Sequence, residues 1–126
     1  MKEEIPALIE KSEHALRVAQ DLRTDGYAPD AVSKAYYSMF YAAQALLKSE
    51  NIDVTKHSAV ESTLGYHFVK SGKLDSKYHR MFIEARKFRE IADYDIQEEI
   101  VQSQAIGKIE EAKVFLSIVK SLIKSS

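Results

Sequence analysis

The chain has 126 residues and carries 18 Lys and Arg against 19 Asp and Glu, a formal net charge of −1. That length suits one domain spanning residues 1–126, and the near-neutral balance excludes a globally basic nucleic-acid coat, so any such contact must use a local patch. The absence of cysteine excludes disulfide frameworks and thiolate metal sites, while only four glycines and two prolines argue for long uninterrupted elements rather than a many-turned β protein.

The apolar residues recur at three- and four-residue steps nearly throughout. Ile5, Leu8, Ile9, Ala15, Leu16, Ala19 and Leu22 form one stripe on a long first helix, which the spacing ends at Thr24-Asp25-Gly26. Pro29 suits the first turn of a second helix over about 29–50. Its inward face is Val32, Ala35, Tyr36, Met39, Ala42, Ala43, Leu46 and Leu47, and alanines at 35, 42, 43 and 45 let another helix approach closely. NIDVTK is a connection. Ser58 and Glu61 have the spacing of a capping box for a third helix, with Thr55 as an equal alternative cap. That helix carries Val60, Leu64, Phe68 and Val69 and stops at Ser71-Gly72. A fourth runs from about Ser76 to Ile91 with Tyr78, Met81, Phe82, Ala85 and Phe88 inward. ADYD, residues 92–95, breaks the period. Asp95 and Glu98 again have capping spacing, so the last helix is expected from about 96 to 123, its stripe marked by Ile100, Ile106, Ile109, Ala112, Phe115, Leu116, Val119 and Leu122. The expected fold is all-α: a single antiparallel, up-and-down bundle of about five helices.

No apolar run approaches the ~18 residues of a membrane span, and the acidic, amphipathic start is unlike a secretory signal. An intracellular, cytoplasmic location away from the membrane is expected.

Three clusters carry chemistry. Lys34, Tyr37 and Tyr41 share one face of the second helix, where a cation and two phenol-edged rings can stack a base and meet a phosphate. Equally, tyrosines there can border a helix–helix or subunit contact. Among His14, His57, His67 and His79 no pair has metal-site spacing, so neither metal nor cofactor is expected. His57, at the start of the third helix, can meet a phosphate or hydrogen-bond a loop. In RKFREIADYD, Arg86 and Arg89 can bind phosphate bidentately, or complement the negative end of their helix with Arg89 paired to Asp93. Generic enzyme signatures are absent.

"SKAYYSMFYAAQALL", "KHSAVESTLGYHFVKSGKL" and "ARKFREIADYD" resemble, in order, the second helix, third helix and Arg-x-x-Ala-Asp-Tyr segment of the HEPN family (higher eukaryotes and prokaryotes nucleotide-binding domain). The resemblance covers about residues 5 to 123. It implies an all-α bundle that usually dimerises and was proposed to bind nucleotides, often beside a minimal nucleotidyltransferase in toxin–antitoxin modules. Catalytic members of that family are metal-independent RNases with an Arg, four to six residues, then a His. This chain departs from that motif. None of Arg17, Arg23, Arg80, Arg86 or Arg89 precedes a histidine at that spacing, and after four intervening residues Arg89 is followed by Tyr94. A phenol with a reference pKa of ~10 is a poor base for a ribose 2′-hydroxyl.

The resulting expectation is a non-catalytic, homodimeric HEPN partner protein that works with a minimal nucleotidyltransferase. It would contact nucleotide or RNA through Lys34, Tyr37, Tyr41, Arg86, Arg89, Asp93 and Tyr94, with His57 behind them. Two alternatives stand beside it: an RNase toxin with a divergent site, in which His57 or His79 substitutes through space, and a helical interaction module with no small ligand.

Overall fold

Helical periodicity translates into five α-helices and one π-helical turn in the computed structural model, which describes residues 3–96 and 99–125. They are α1 (Glu4–Thr24), α2 (Ala28–Lys48), α3 (His57–Leu64), the π-turn Gly65–Val69, α4 (Ser76–Tyr94) and α5 (Gln102–Ser125). Among the described residues there is no strand, and no helix is long and apolar enough to cross a membrane.

The bundle is organised around α2, which packs against α1, α3, α4 and α5 alike. Thirteen of its 21 residues are buried, so it is enclosed nearly all round rather than along one stripe. The expected inward set is buried in full, joined by Ala28, Ala31, Ser38, Phe40 and Ala45. Against α1 the contact is made by small residues. Ser12, Ala15 and Ala19 are the buried residues of α1, whereas Ile5, Leu8, Ile9, Leu16 and Leu22 are only half-buried along the flanks. Ser12 Oγ donates to the Ser38 carbonyl at 2.7 Å and Ser38 Oγ donates to the Ser12 carbonyl at 2.9 Å. This reciprocal pair satisfies two buried hydroxyls that would otherwise be costly between two backbones.

Several boundaries differ from expectation for local reasons. Neither Thr55 nor Ser58 caps α3; its N-cap is Lys56 in extended conformation, with no side-chain bond to the helix. Past Leu64 the chain widens into the π-turn, closed by Lys70 N–H to the Gly65 carbonyl at 3.0 Å. α4 does not stop at Ile91. Ala92 packs against the core and Arg89 pairs with Asp93 one turn on, which carries the helix to Tyr94 before Asp95 turns extended. Asp95 therefore ends α4 and does not start α5, and Glu98 lies outside the described residues. With the helix longer, its last turn holds no basic residue, so Arg86 and Arg89 do not complement its negative end. α5 begins only at Gln102, where Gln104 Oε1 accepts from Val101 N–H at 2.9 Å. Its buried face is Ala105, Ile109, Ala112, Phe115, Leu116 and Val119; Ile106, one step round from Ala105, is 44% exposed.

Phe82 anchors α4 in the core. It is fully buried, its ring stacked on Tyr36 at 5.7 Å and lying 5.6 Å from Phe115. Phe82→Ala is expected to destabilise the fold by about 3–5 kcal/mol, because three helices wall the space and cannot collapse into it. Denaturant unfolding measures this, and a loss under about 1 kcal/mol would contradict the packing described.

Candidate functional site

The aromatic run of α2 bridges the core and a surface cleft. Tyr36 is fully buried, and its hydroxyl lies 2.8 Å from His57 Nδ1. The His57 ring stacks on Phe40 at 4.2 Å and meets the edge of Tyr37 at 5.7 Å. From α4, Arg89 lays its guanidinium carbon 5.3 Å from the Tyr36 ring centroid and 5.7 Å from that of Tyr37. Its Nη1 donates to the Tyr37 hydroxyl at 3.4 Å and to Asp93 Oδ2 at 3.3 Å. Its Nε is buried without a hydrogen-bond partner among the described residues. The rings therefore supply the cation's main support on that side.

His57 and Arg89 open into one cavity of about 540 Å³, lined also by Ser58, Glu61, Ser62, His79, Arg86 and Glu90. The other cation in it is already matched. Arg86 Nε donates to Glu61 Oε2 at 2.8 Å, Nη2 reaches Glu61 Oε1 at 3.3 Å, and Nη1 contacts both Glu90 oxygens. His79 is committed too, since its Nε2 donates to the Glu61 carbonyl at 2.8 Å. Gly65 makes that possible: a Cβ there would lie 2.9 Å from the His79 ring. Arg89 is held more loosely. Its ion pair with Asp93 is an i,i+4 contact, a type contributing about 0.3–0.5 kcal/mol, whereas a charge-assisted bond to phosphate is worth about 1.5–3 kcal/mol. A phosphate can displace Asp93.

Burial, and then the Arg89 charge, hold the His57 imidazole below its usual range, so it is neutral at physiological pH. No group of three or more His, Asp or Glu among the described residues is placed to hold a metal.

Of the residues singled out in the sequence, the structure gathers Tyr37, His57, Arg86, Arg89, Asp93 and Tyr94 on or beside this cavity. Lys34 is exposed one turn before Tyr37, outside its lining. Tyr41 also stands outside, half-buried with the Lys11 ammonium 5.0 Å over its ring. Sequence reasoning missed Glu61, Glu90 and His79 as partners. The i,i+4 spacing of Arg86 and Glu90 was available; the two cross-helix contacts had no local signal. A larger depression of about 620 Å³ beyond Glu90 is lined by Lys87, Ile91, Tyr94, Asp95 and Ile96, but it holds no imidazole and no arginine.

The HEPN domain family model matches residues 5–125. The chain belongs to the HEPN domain family. It is 36% identical over 124 residues to "Putative toxin MJ0142" of Methanocaldococcus jannaschii, covering 98% of this chain and 84% of that one. To "Putative toxin MJ0605" of the same organism it is 35% identical, covering 98% and 92%. The crystal structure of TT1696 from Thermus thermophilus superposes with a TM-score of 0.81 over 94% of this chain and 97% of that one, at 15% identity, which speaks to the fold alone. In this HEPN chain α3 brings His57 to the cavity that Arg89 lines from α4.

His57 is expected to titrate below the ~6.5 of an unperturbed histidine, and Arg89→Ala to move it upward by removing the opposing charge. Because the folded-state value is the lower one, the stability from neutral His57 is complete above about pH 6.5 and declines as pH falls through that value. Imidazole NMR titration of both proteins checks the shift; an unchanged His57 value in the folded variant would remove Arg89 from its surroundings.

Proposed function

We propose that this HEPN protein is a non-catalytic, single-domain member that binds nucleotide or RNA through the Arg89–His57 cavity. In this reading it acts as a cytoplasmic homodimer with a minimal nucleotidyltransferase, in a toxin–antitoxin-type module. The observation that carries the reading is Arg89: a cation braced on two aromatic rings, weakly paired, in an open cleft beside a neutral imidazole. Tyr37 adds a hydroxyl bonded to Arg89, Lys34 adds a cation one turn away along α2, and Tyr94 follows on the same helix as Arg89 in the adjoining depression. The printed names of two relatives support the toxin context. The alanines of α2 are consumed by packing within the chain and do not argue for dimerisation. Tyr94, 73% exposed, and Ile96, 98% exposed, give that expectation its support instead.

A second reading, an RNase with a divergent site, is favoured by one observation: His57 shares the cavity with Arg89 although it comes from another helix. Incubating the pure protein with RNA in the presence of chelator separates the two, since only the RNase reading expects cleavage that His57→Ala abolishes.

Wild-type protein is expected to bind a short RNA or a nucleotide more weakly as salt rises. Arg89→Ala should lose at least ~10-fold in affinity while remaining folded by circular dichroism, and Arg89→Lys should rescue poorly because an ammonium lacks the planar fork. Equal binding by the folded Ala variant would leave Arg89 structural. Light scattering at micromolar concentration should give twice the monomer mass, and a monomer throughout that range would refute the dimer.

A further inference from the structure

We propose that Tyr36 is a positioning residue that fixes His57 as its Nε2–H tautomer, so that the cavity is offered a neutral hydrogen-bond donor beside Arg89 and not a base. The functional consequence rests on reading the cavity as a phosphate-binding cleft. The tautomer itself follows from where one buried proton can go.

The Tyr36 side chain is fully buried, and His57 Nδ1, 2.8 Å away, is the hydrogen-bond partner its hydroxyl has among the described residues. Burial pushes the phenol well above its ordinary value, so the oxygen keeps its hydrogen. That hydrogen must be donated or lost to desolvation. Arg89 has only donors to give, its guanidinium lying over the ring face, and both Glu61 carboxylate oxygens accept from Arg86. The Tyr37 hydroxyl is already engaged as acceptor from Arg89 Nη1. The bare lone pair of His57 Nδ1 is the acceptor that remains. If Tyr36 O–H donates to Nδ1, the ring hydrogen of neutral His57 sits on Nε2. With Nδ1 engaged toward the core, Nε2 is the nitrogen left for the cavity that His57 lines.

Protonating His57 would then require Nδ1–H to point back at Tyr36 and the tyrosine hydrogen to be orphaned in the core. Every charged or titratable group around the ring bears on that cost. Arg89 and Arg86 from α4 oppose a second positive charge; Glu61 on α3 and Glu90 on α4 are already turned to Arg86; His79 is bonded to the Glu61 carbonyl; Tyr37 presents a ring edge. The cavity thus presents Nε2–H and a guanidinium, two donors suited to the oxygens of a phosphodiester. A nitrogen that already carries its hydrogen cannot take the proton of a 2′-hydroxyl. A neutral imidazole N–H is likewise a poor acid for a departing oxygen, because general acid catalysis draws on the imidazolium. The arrangement grips a phosphodiester without cleaving it.

The test is long-range ¹H–¹⁵N correlation of the imidazole rings in ¹⁵N-labelled wild-type protein at neutral pH. The expected pattern for His57 is a protonated, pyrrole-type Nε2 and a bare, pyridine-type Nδ1. An Nδ1–H tautomer or an imidazolium overturns the proposal. In Tyr36→Phe, which keeps the buried ring, His57 should shift toward mixed tautomers and titrate at higher pH. A folded Tyr36→Phe protein with the wild-type pattern overturns Tyr36 as its cause; should that variant not fold, the wild-type spectrum decides. Failure of a short single-stranded RNA to bind wild type removes the phosphate reading and leaves the tautomer result standing, so the two fail separately.

Discussion

Tyr36 joins the stability of this bundle to its surface chemistry. Its ring is part of the core, stacked on Phe82, which in turn packs against Phe115 of α5. Its ring face also supports Arg89, and its hydroxyl ends at His57. One side chain of the central helix therefore aligns α3, α4 and α5 and sets the positions of the cation and the imidazole at once. The small-residue seam between α1 and α2 completes the constraint, because α2 can be enclosed on all sides only if one neighbour approaches on serine and alanine.

Charge is distributed unequally across the cleft, and this separates two arginines that look equivalent in sequence. Arg86 is 27% exposed at its side chain but saturated by two carboxylates, so it reads as a strut between α3 and α4. Arg89 is 15% exposed and shares a single carboxylate with solvent, while the rings beneath it make no demand on its hydrogen-bonding edge beyond Nη1. A ligand anion therefore meets less competition at Arg89. The π-turn contributes indirectly. Gly65 admits His79, His79 holds the Glu61 carbonyl, and the Glu61 carboxylate holds Arg86. Such turns often occur where function needs a locally widened helix.

Much of the fold was legible because helical periodicity is a local signal. The end of α1 at Gly26, which has φ +91°, and the buried face of α2 followed from spacing and residue type. What spacing could not show were contacts between helices. Ser12 reads as a polar interruption of the first stripe until Ser38 is placed opposite it. Thr55 and Ser58 carry capping chemistry that the chain leaves unused, and Asp95 closes a helix rather than opening one, because the Arg89–Asp93 pair sustains α4 past the expected break. In the site, Arg89 and Asp93 were readable from their interval. The proximity of His57 to Arg89 depends on the α3–α4 packing angle and has no signature in the sequence.

The central claim is that Arg89 and His57 together grip a phosphate without cutting the chain that carries it. The most direct measurement is an NMR titration of ¹⁵N-labelled protein with a short single-stranded RNA, followed at the Arg89 guanidinium and the His57 imidazole, with the RNA recovered and sized afterwards. The account predicts that both signals move together along one binding curve and that the RNA is recovered intact. RNA that binds while both signals stay fixed, or RNA returned cleaved by a reaction that requires His57, would contradict it.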